Sequence, residues 1–263
     1  MVMKIYQCKP DKGGMELEPI LRELGVAYED ALKDGNAMAR VMDKVREASN
    51  MTYTFLPISN YLMASCLGTR IRWDPKYGDR VAKETFTTCK EAASFLPEDI
   101  RREPLEPLFK AMDILKSMGS RVIVSVTGPV TLLSFLIPLE EIYKAMAKRG
   151  KSFMRLLNIM EEFSAEQIRK LDSFRPELIY FVDTIGTLDL VGPALFKKVS
   201  GPSYLSVLKR TEDSVTPIYM CPKNMTSLFS AKLIKSASAG KLYAGPCLSR
   251  KFKDLHCGTC EIL

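Results

Sequence analysis

Short β-rich runs alternate with longer helix-patterned stretches along this chain, and that alternation leaves few architectures open. The strand candidates are Val2–Cys8, Thr52–Ile58, Arg121–Val126, Glu177–Val182, Pro217–Cys221 and Leu242–Ala244. Between them, Met15–Leu24, Asn36–Ser49, Tyr77–Phe95, Pro104–Ser117, Leu139–Leu171 and Pro193–Arg210 carry apolar residues three and four apart, the period of an amphipathic helix. Pro104 and Pro193 suit a first helical turn. Such a pattern marks βα units and a parallel sheet, an α/β fold. No Ser/Gly-rich linker and no repeat of about 20 to 50 residues breaks the series, so residues 1–263 read as a single domain. With 46% apolar residues over 263 positions, the chain can bury the core such a domain needs.

Charge and cysteine usage narrow the setting. Thirty-eight Lys and Arg against 31 Asp and Glu give a net charge of +7, which attracts an anionic ligand or an acidic partner at long range. The basic residues lie in short scattered groups, Arg101-Arg102, Lys148-Arg149-Lys151, Lys197-Lys198 and Arg250-Lys251-Lys253, so no nucleic-acid footprint is expected. Seven unevenly spaced cysteines are too few for a secreted disulfide framework, and the opening MVMKIYQCKP has no signal-peptide core, which points to the cytoplasm. The longest apolar run, Val130–Leu139, is broken by Thr131, Ser134 and Pro138 and falls short of the ~20 residues that span a bilayer, so no membrane association is expected.

In parallel α/β proteins ligands bind at the carboxyl ends of the strands. Here those positions are Ser59 and Asn60, Thr127 and Gly128, Asp183 and Thr184, and Cys221. Asp183, after an apolar strand, either faces the pocket or caps the following segment. Gly128-Pro129 either brings backbone amides to a ligand or makes a tight turn. Cys221, Cys247, His256, Cys257 and Cys260 gather within residues 221–263, and thiolates with imidazole are what zinc selects; Cys257-x-x-Cys260 is half of a zinc spacing. The alternative is that Cys221 and Cys247 are small buried hydrophobes and the tail pair is redox-active. His256 is the only histidine, so a general base is this residue, a carboxylate or a tyrosine. Fourteen methionines suit an adaptable surface for a large apolar cofactor or fill core gaps, and Tyr53, Phe55, Tyr61 and Trp73 read as packing.

Val126–Leu136 (VTGPVTLLSFL) resembles the uroporphyrinogen decarboxylase superfamily, specifically its methylcobamide:thiol methyltransferase branch. Ala31–Arg40 (ALKDGNAMAR), Pro57–Gly68, Leu178–Asp183 and Pro217–Cys221 resemble further family segments in the same order, so the similarity runs through most of residues 20–225. The resemblance implies a TIM-barrel-like (β/α)8 fold with its site at the carboxyl-terminal mouth. It also implies a zinc ion, held by His-x-Cys at one strand end and by a late Cys, that makes a thiol nucleophilic. Here the first motif reads Tyr219-Met220-Cys221, and Leu255-His256-Cys257-Gly258 resembles the late element. The implied metal ligands are Cys221 and Cys257, completed from Cys260, Cys247 or His256. Asp183, Tyr219 and His256 are the expected catalytic groups, and from the strand-end set Ser59, Asn60, Thr127 and Gly128 the expected substrate contacts.

Only 35 residues separate Cys221 from Cys257, fewer than the family uses, so the barrel is expected to be incomplete or remodelled in its C-terminal part. Ser59 stands where the family shows an acidic residue, Met63 at a second such position, and Cys8–Leu21 offers Lys9 and Lys12 in place of an arginine cluster. These differences oppose decarboxylation of a porphyrinogen. The expected function is therefore transfer of a methyl group between a corrinoid and a thiol or related acceptor. A cobalamin-binding Asp-x-His-x-x-Gly is absent from the sequence, so the corrinoid would sit on a separate carrier protein. The alternatives are a porphyrinogen-type decarboxylase and a non-catalytic subunit that binds a corrinoid or a partner.

Overall fold

The computed structural model describes residues 6–8, 17–74, 78–95, 97–234, 242–243 and 260–262. Five strands, β2 (Tyr53–Leu56), β5 (Arg121–Thr127), β6 (Leu178–Val182), β7 (Ile218–Met220) and β8 (Leu242–Tyr243), form one sheet in the order β2-β5-β6-β7-β8, every pair parallel. The register sets Leu56 beside Val124, Thr127 beside Val182 and Phe181 beside Met220, so the strands end at a common level. Among the described residues β2 and β8 are the sheet's edges.

Helices carry the chain between these strands. They are α1 (Leu17–Leu24), α2 (Tyr28–Lys33), α3 (Gly35–Ala48), α4 (Leu62–Cys66), α5 (Glu106–Ser117), α6 (Pro129–Leu136), α7 (Leu139–Lys148), α8 (Lys151–Ser173), α9 (Leu188–Val191), α10 (Pro193–Leu195), α11 (Gly201–Arg210) and α12 (Pro222–Ser230). Their starts follow local chemistry: the Asp34 carboxylate accepts the Asn36 N–H at 3.0 Å to cap α3, and proline occupies the first turn of α5, α6 and α12. None of the described helices is long and apolar enough to cross a membrane.

Alternation along the strands divides the core in two. Val122, Val124, Val126, Ile179, Phe181, Ile218 and Met220 pack into the helical layer, while Tyr53, Ile123, Leu178 and Tyr219 form a separate cluster with Phe55 and Tyr180. β5 is thus buried on both faces, which is why it reads as a nearly unbroken apolar run.

Three expectations are corrected. Tyr77–Phe95 is not a helix: β3 (Ile71–Asp74) and β4 (Gly78–Val81) make an antiparallel hairpin, and a single 3-10 turn follows at Glu91–Ser94. Gly78 has φ +75°, a left-handed conformation glycine adopts without strain, and a polar stretch then gives no apolar face for a helix. Leu139–Leu171 is two helices, because Arg149 turns left-handed (φ 50°) and Gly150 is extended between α7 and α8. The first strand, β1 (Tyr6–Cys8), pairs antiparallel with β9 (Cys260–Ile262) outside the parallel sheet.

Candidate functional site at the strand ends

The carboxyl ends of β2, β5, β6 and β7 bring Ser59, Asn60, Thr127, Gly128, Asp183 and Cys221 to one side of the sheet. At its centre is Asp183, fully buried. Its Oδ2 accepts the Val130 N–H at 2.9 Å; its Oδ1 accepts the Thr131 N–H at 3.0 Å, the Thr131 hydroxyl at 2.6 Å and the Gly186 N–H at 3.1 Å. The sequence left open a pocket-facing role or a cap on the following segment; the carboxylate instead holds chiefly the start of the preceding helix α6, with one bond to Gly186 in the segment that follows. Burial raises the Asp183 carboxyl above its ordinary range, and the Thr131 hydroxyl with the three amides offsets only part of that rise.

The backbone of Asp183 is held as firmly. Its N–H donates to Asn224 Oδ1 at 3.0 Å, and its carbonyl accepts from Asn224 Nδ2 at 2.7 Å and from the Tyr204 hydroxyl at 3.3 Å. Tyr204 is fully buried, and burial followed by the Asp183 charge holds its phenol well above the usual value, so it serves as a neutral donor. Asn224 lies on α12, just beyond Cys221, so this bond couples the β6 end to the β7 end.

Gly128 lies against Asp183. Its N–H donates to Val182 O at 2.7 Å, and a Cβ at this position would meet Asp183 Cβ at 2.4 Å. Thr127 binds across to the β2 loop: its N–H meets Met63 Sδ at 3.2 Å, its hydroxyl donates to Asn60 O at 3.3 Å, and its carbonyl accepts from Ser164 at 3.0 Å. Asn60 is the exposed member of the group, and Thr184, next to Asp183, is exposed as well.

Cys221 is 5% exposed and immediately precedes α12, its N–H donating to Phe181 O at 2.9 Å. Tyr219 lies within the smaller cluster with Tyr53, Ile123 and Leu178, 1% exposed, its ring centroid 6.2 Å from that of Tyr180. Cys247, His256 and Cys257 lie outside the described residues; Cys260 is placed only as a backbone position of β9, opposite Cys8 of β1. Among the described residues no three His, Cys, Asp or Glu side chains gather as a metal shell.

Two groups of functional interest have no counterpart in the sequence reading. Asn224 and Tyr204 meet Asp183 only through the fold, and no local pattern announces them. Asp79, on β4, accepts a hydrogen bond from the Ser59 hydroxyl and another at 2.9 Å from the Tyr28 hydroxyl, both on Oδ2. A carboxylate therefore stands beside Ser59, the position where the resemblance leads one to expect an acid. The signal was the punctuated stretch Trp73-Asp-Pro-Lys-Tyr-Gly-Asp79, whose Pro and Gly mark a turn.

Comparison with known proteins gives a consistent kinship. The model of the family described as Uroporphyrinogen decarboxylase (URO-D) matches residues 15–240. A protein of Methanosarcina barkeri named Methylcobamide:CoM methyltransferase MtaA is 23% identical over 226 residues, 84% of this chain and 66% of its own length. Its counterpart in Methanosarcina barkeri strain Fusaro / DSM 804 gives the same figures. The chain thus spans about two thirds of the length of the curated relatives it matches. A solved structure of a methyltransferase from Methanosarcina mazei superposes with a TM-score of 0.68 at 20% identity, over 92% of this chain and 71% of that one.

Proposed function

The chain belongs to the uroporphyrinogen decarboxylase family, and from that premise we propose that it transfers a methyl group between a corrinoid presented by a carrier protein and a thiol or related small acceptor. The observation that carries this reading is the colinear match to the two MtaA proteins, whose name states methyl transfer from a methylcobamide to CoM. Cys221 supports it, since it is a buried free thiol just after β7 and ligands of parallel α/β folds bind at the carboxyl ends of the strands.

A zinc ion would supply Lewis acidity that lowers a thiol's pKa. Tested against the described side chains, the fit is incomplete. Cys221 is one donor, the Asp183 oxygens are committed to α6, and Tyr219 is packed against Tyr180. Further ligands would come from Cys247, His256, Cys257 and Cys260. The described residues fix the mouth's geometry: Asp183 holds the start of α6, Asn224 ties the β6 end to α12, and Asn60 and Thr184 offer exposed polar contacts.

The test is transfer from methylcobalamin to a panel of thiols, followed by the corrinoid's visible spectrum. Methylated thiol should form with the native chain and fall at least tenfold in Cys221→Ala of unchanged circular dichroism. No product from any thiol, with cobalamin bound, would retire the reading. A second reading, decarboxylation of a porphyrinogen, is favoured by one observation: Asp79 places a carboxylate against Ser59, where it could accept from pyrrole N–H groups. Release of carbon dioxide from a porphyrinogen, abolished in Asp79→Asn, would establish it instead.

A further inference from the structure

The β3–β4 hairpin carries a polar and aromatic cluster that the methyl-transfer reading leaves unused. Trp73 and Asp79 are direct cross-strand partners, so they share one face of the hairpin, while Arg72 and Arg80, paired beside them, take the other. On the first face Trp73 stacks on Tyr28 of α2, ring centroids 4.3 Å apart and planes 16° from parallel. The Tyr28 and Ser59 hydroxyls both donate to Oδ2 of Asp79. Burial and the Asp79 charge push the Tyr28 phenol upward, so the phenol stays a donor and the cluster carries the single negative charge of Asp79.

The three carboxylates bound to this hairpin differ in their compensation. Glu18, which accepts the Trp73 indole N–H at 3.2 Å, is paired with Arg22 at 2.8 Å. Asp74 is paired with Arg80 at 3.1 Å. Asp79, half-buried, has no basic partner among the described residues, and its two hydrogen bonds there come from neutral hydroxyls on one oxygen. A partly desolvated carboxylate whose bonds among the described residues come from neutral hydroxyls favours a cation.

We propose that Asp79, with Tyr28, Ser59 and Trp73, binds an organic ammonium ion at the carboxyl end of β2. A divalent metal is the poorer occupant: calcium takes about six to eight oxygen ligands, and no cluster of three acidic, His or Cys side chains occurs among the described residues. A methylated ammonium is weakly hydrated and attracted by electron-rich rings, and Tyr28 and Trp73 stand at the carboxylate. Tyr61 is close enough that the Asp79 charge, after burial, helps raise its phenol. The proposal does not depend on methyl transfer, because binding is measured without turnover.

Trp73 is the only tryptophan in the chain, so its fluorescence reports on this cluster alone. Titration with tetramethylammonium or trimethylammonium chloride at constant ionic strength should give a saturable change, and sodium or magnesium chloride should not. Asp79→Asn keeps an oxygen to accept from Ser59 and Tyr28 but loses the charge, and should weaken binding at least tenfold. A linear response in the native chain, equal saturation in Asp79→Asn, or the same curve with magnesium would each overturn the proposal. Should that variant misfold, the native chain still decides: NMR cross-relaxation between tetramethylammonium methyl protons and the single indole ring is expected, and its absence at high salt concentration rejects the site.

Discussion

At Gly128 packing alone fixes the residue. Its φ is −78°, open to any side chain, yet a Cβ would lie 2.4 Å from Asp183 Cβ, which four donors hold in place. The neighbour cannot swing aside without leaving buried amides unsatisfied. Gly128→Ala should therefore cost about 3 kcal/mol, the upper end for overpacking a tight site, read as a lowered urea midpoint with an unchanged slope. Cys221 invites a different measurement. If zinc is held at the β7 end, elemental analysis of protein purified without added metal should find about one zinc per chain, lost in both Cys221→Ala and Cys257→Ala. Zinc retained in Cys221→Ala and lost in Cys257→Ala would move the metal to the tail and away from the mouth. Asp183 and Cys221 were legible as strand-end residues because each follows an apolar run. Their surroundings were not, since Asn224 and Tyr204 reach Asp183 from 41 and 21 residues away.

Elements were legible where burial repeats along the chain. The strands at 53–56, 121–127, 178–182 and 218–220 fall where short apolar runs predict them, because strands covered on both faces need continuous apolar character. The hairpin of β3 and β4 escaped for the opposite reason. Its residues are half-buried or exposed, and Trp73 and Asp79 are fixed by Tyr28 and Ser59 on other elements. A comparable long-range tie secures the approach to β7. Asp172, near the end of α8, accepts the Thr216 N–H at 2.7 Å and the Val215 N–H at 3.1 Å. Burial alone would raise this carboxyl, but the bonds from Thr216 and Val215 prevail and hold it below its ordinary 3.8. A carboxylate with a depressed folded pKa contributes stability that is fully present above its unfolded value and is lost as pH falls through the folded one. Asp172→Asn should thus lower stability by about 1 to 2 kcal/mol near neutrality. The gap to the native chain should narrow below about pH 4. A gap independent of pH in chemical denaturation would show that the amides, not the charge, carry the effect.

For the whole molecule, a family barrel of this type should close on itself, and the described strands form an open run of five whose edges are β2 and β8. The short interval between Cys221 and Cys257 raises the expectation of remodelling in the sequence, while the pairing of β1 with β9 was not legible there, because it joins residues far apart along the chain and leaves no local pattern. That pair registers Tyr6 with Ile262 and Cys8 with Cys260, and β1 also contacts α12, the helix that follows Cys221 and carries Asn224. The chain ends are therefore connected to the mouth through one helix. Deleting residues 260–263 removes β9 and leaves β1 with an unpaired edge. Losing roughly 1 to 2 kcal/mol of strand pairing in a domain of this size should lower Tm by on the order of 5 °C, while the parallel sheet and its helices keep their circular dichroism. The effect should also reach the site, because β1, which packs against α12, would lose its partner strand while Asn224 still has to hold the Asp183 backbone. Proton exchange of the Asp183 amide, bonded to Asn224, is thus expected to speed up in the truncated chain more than that of Val124 in the middle of β5. Equal protection at both amides, or an unchanged Tm, would mean that the pairing of the ends contributes to neither stability nor the mouth.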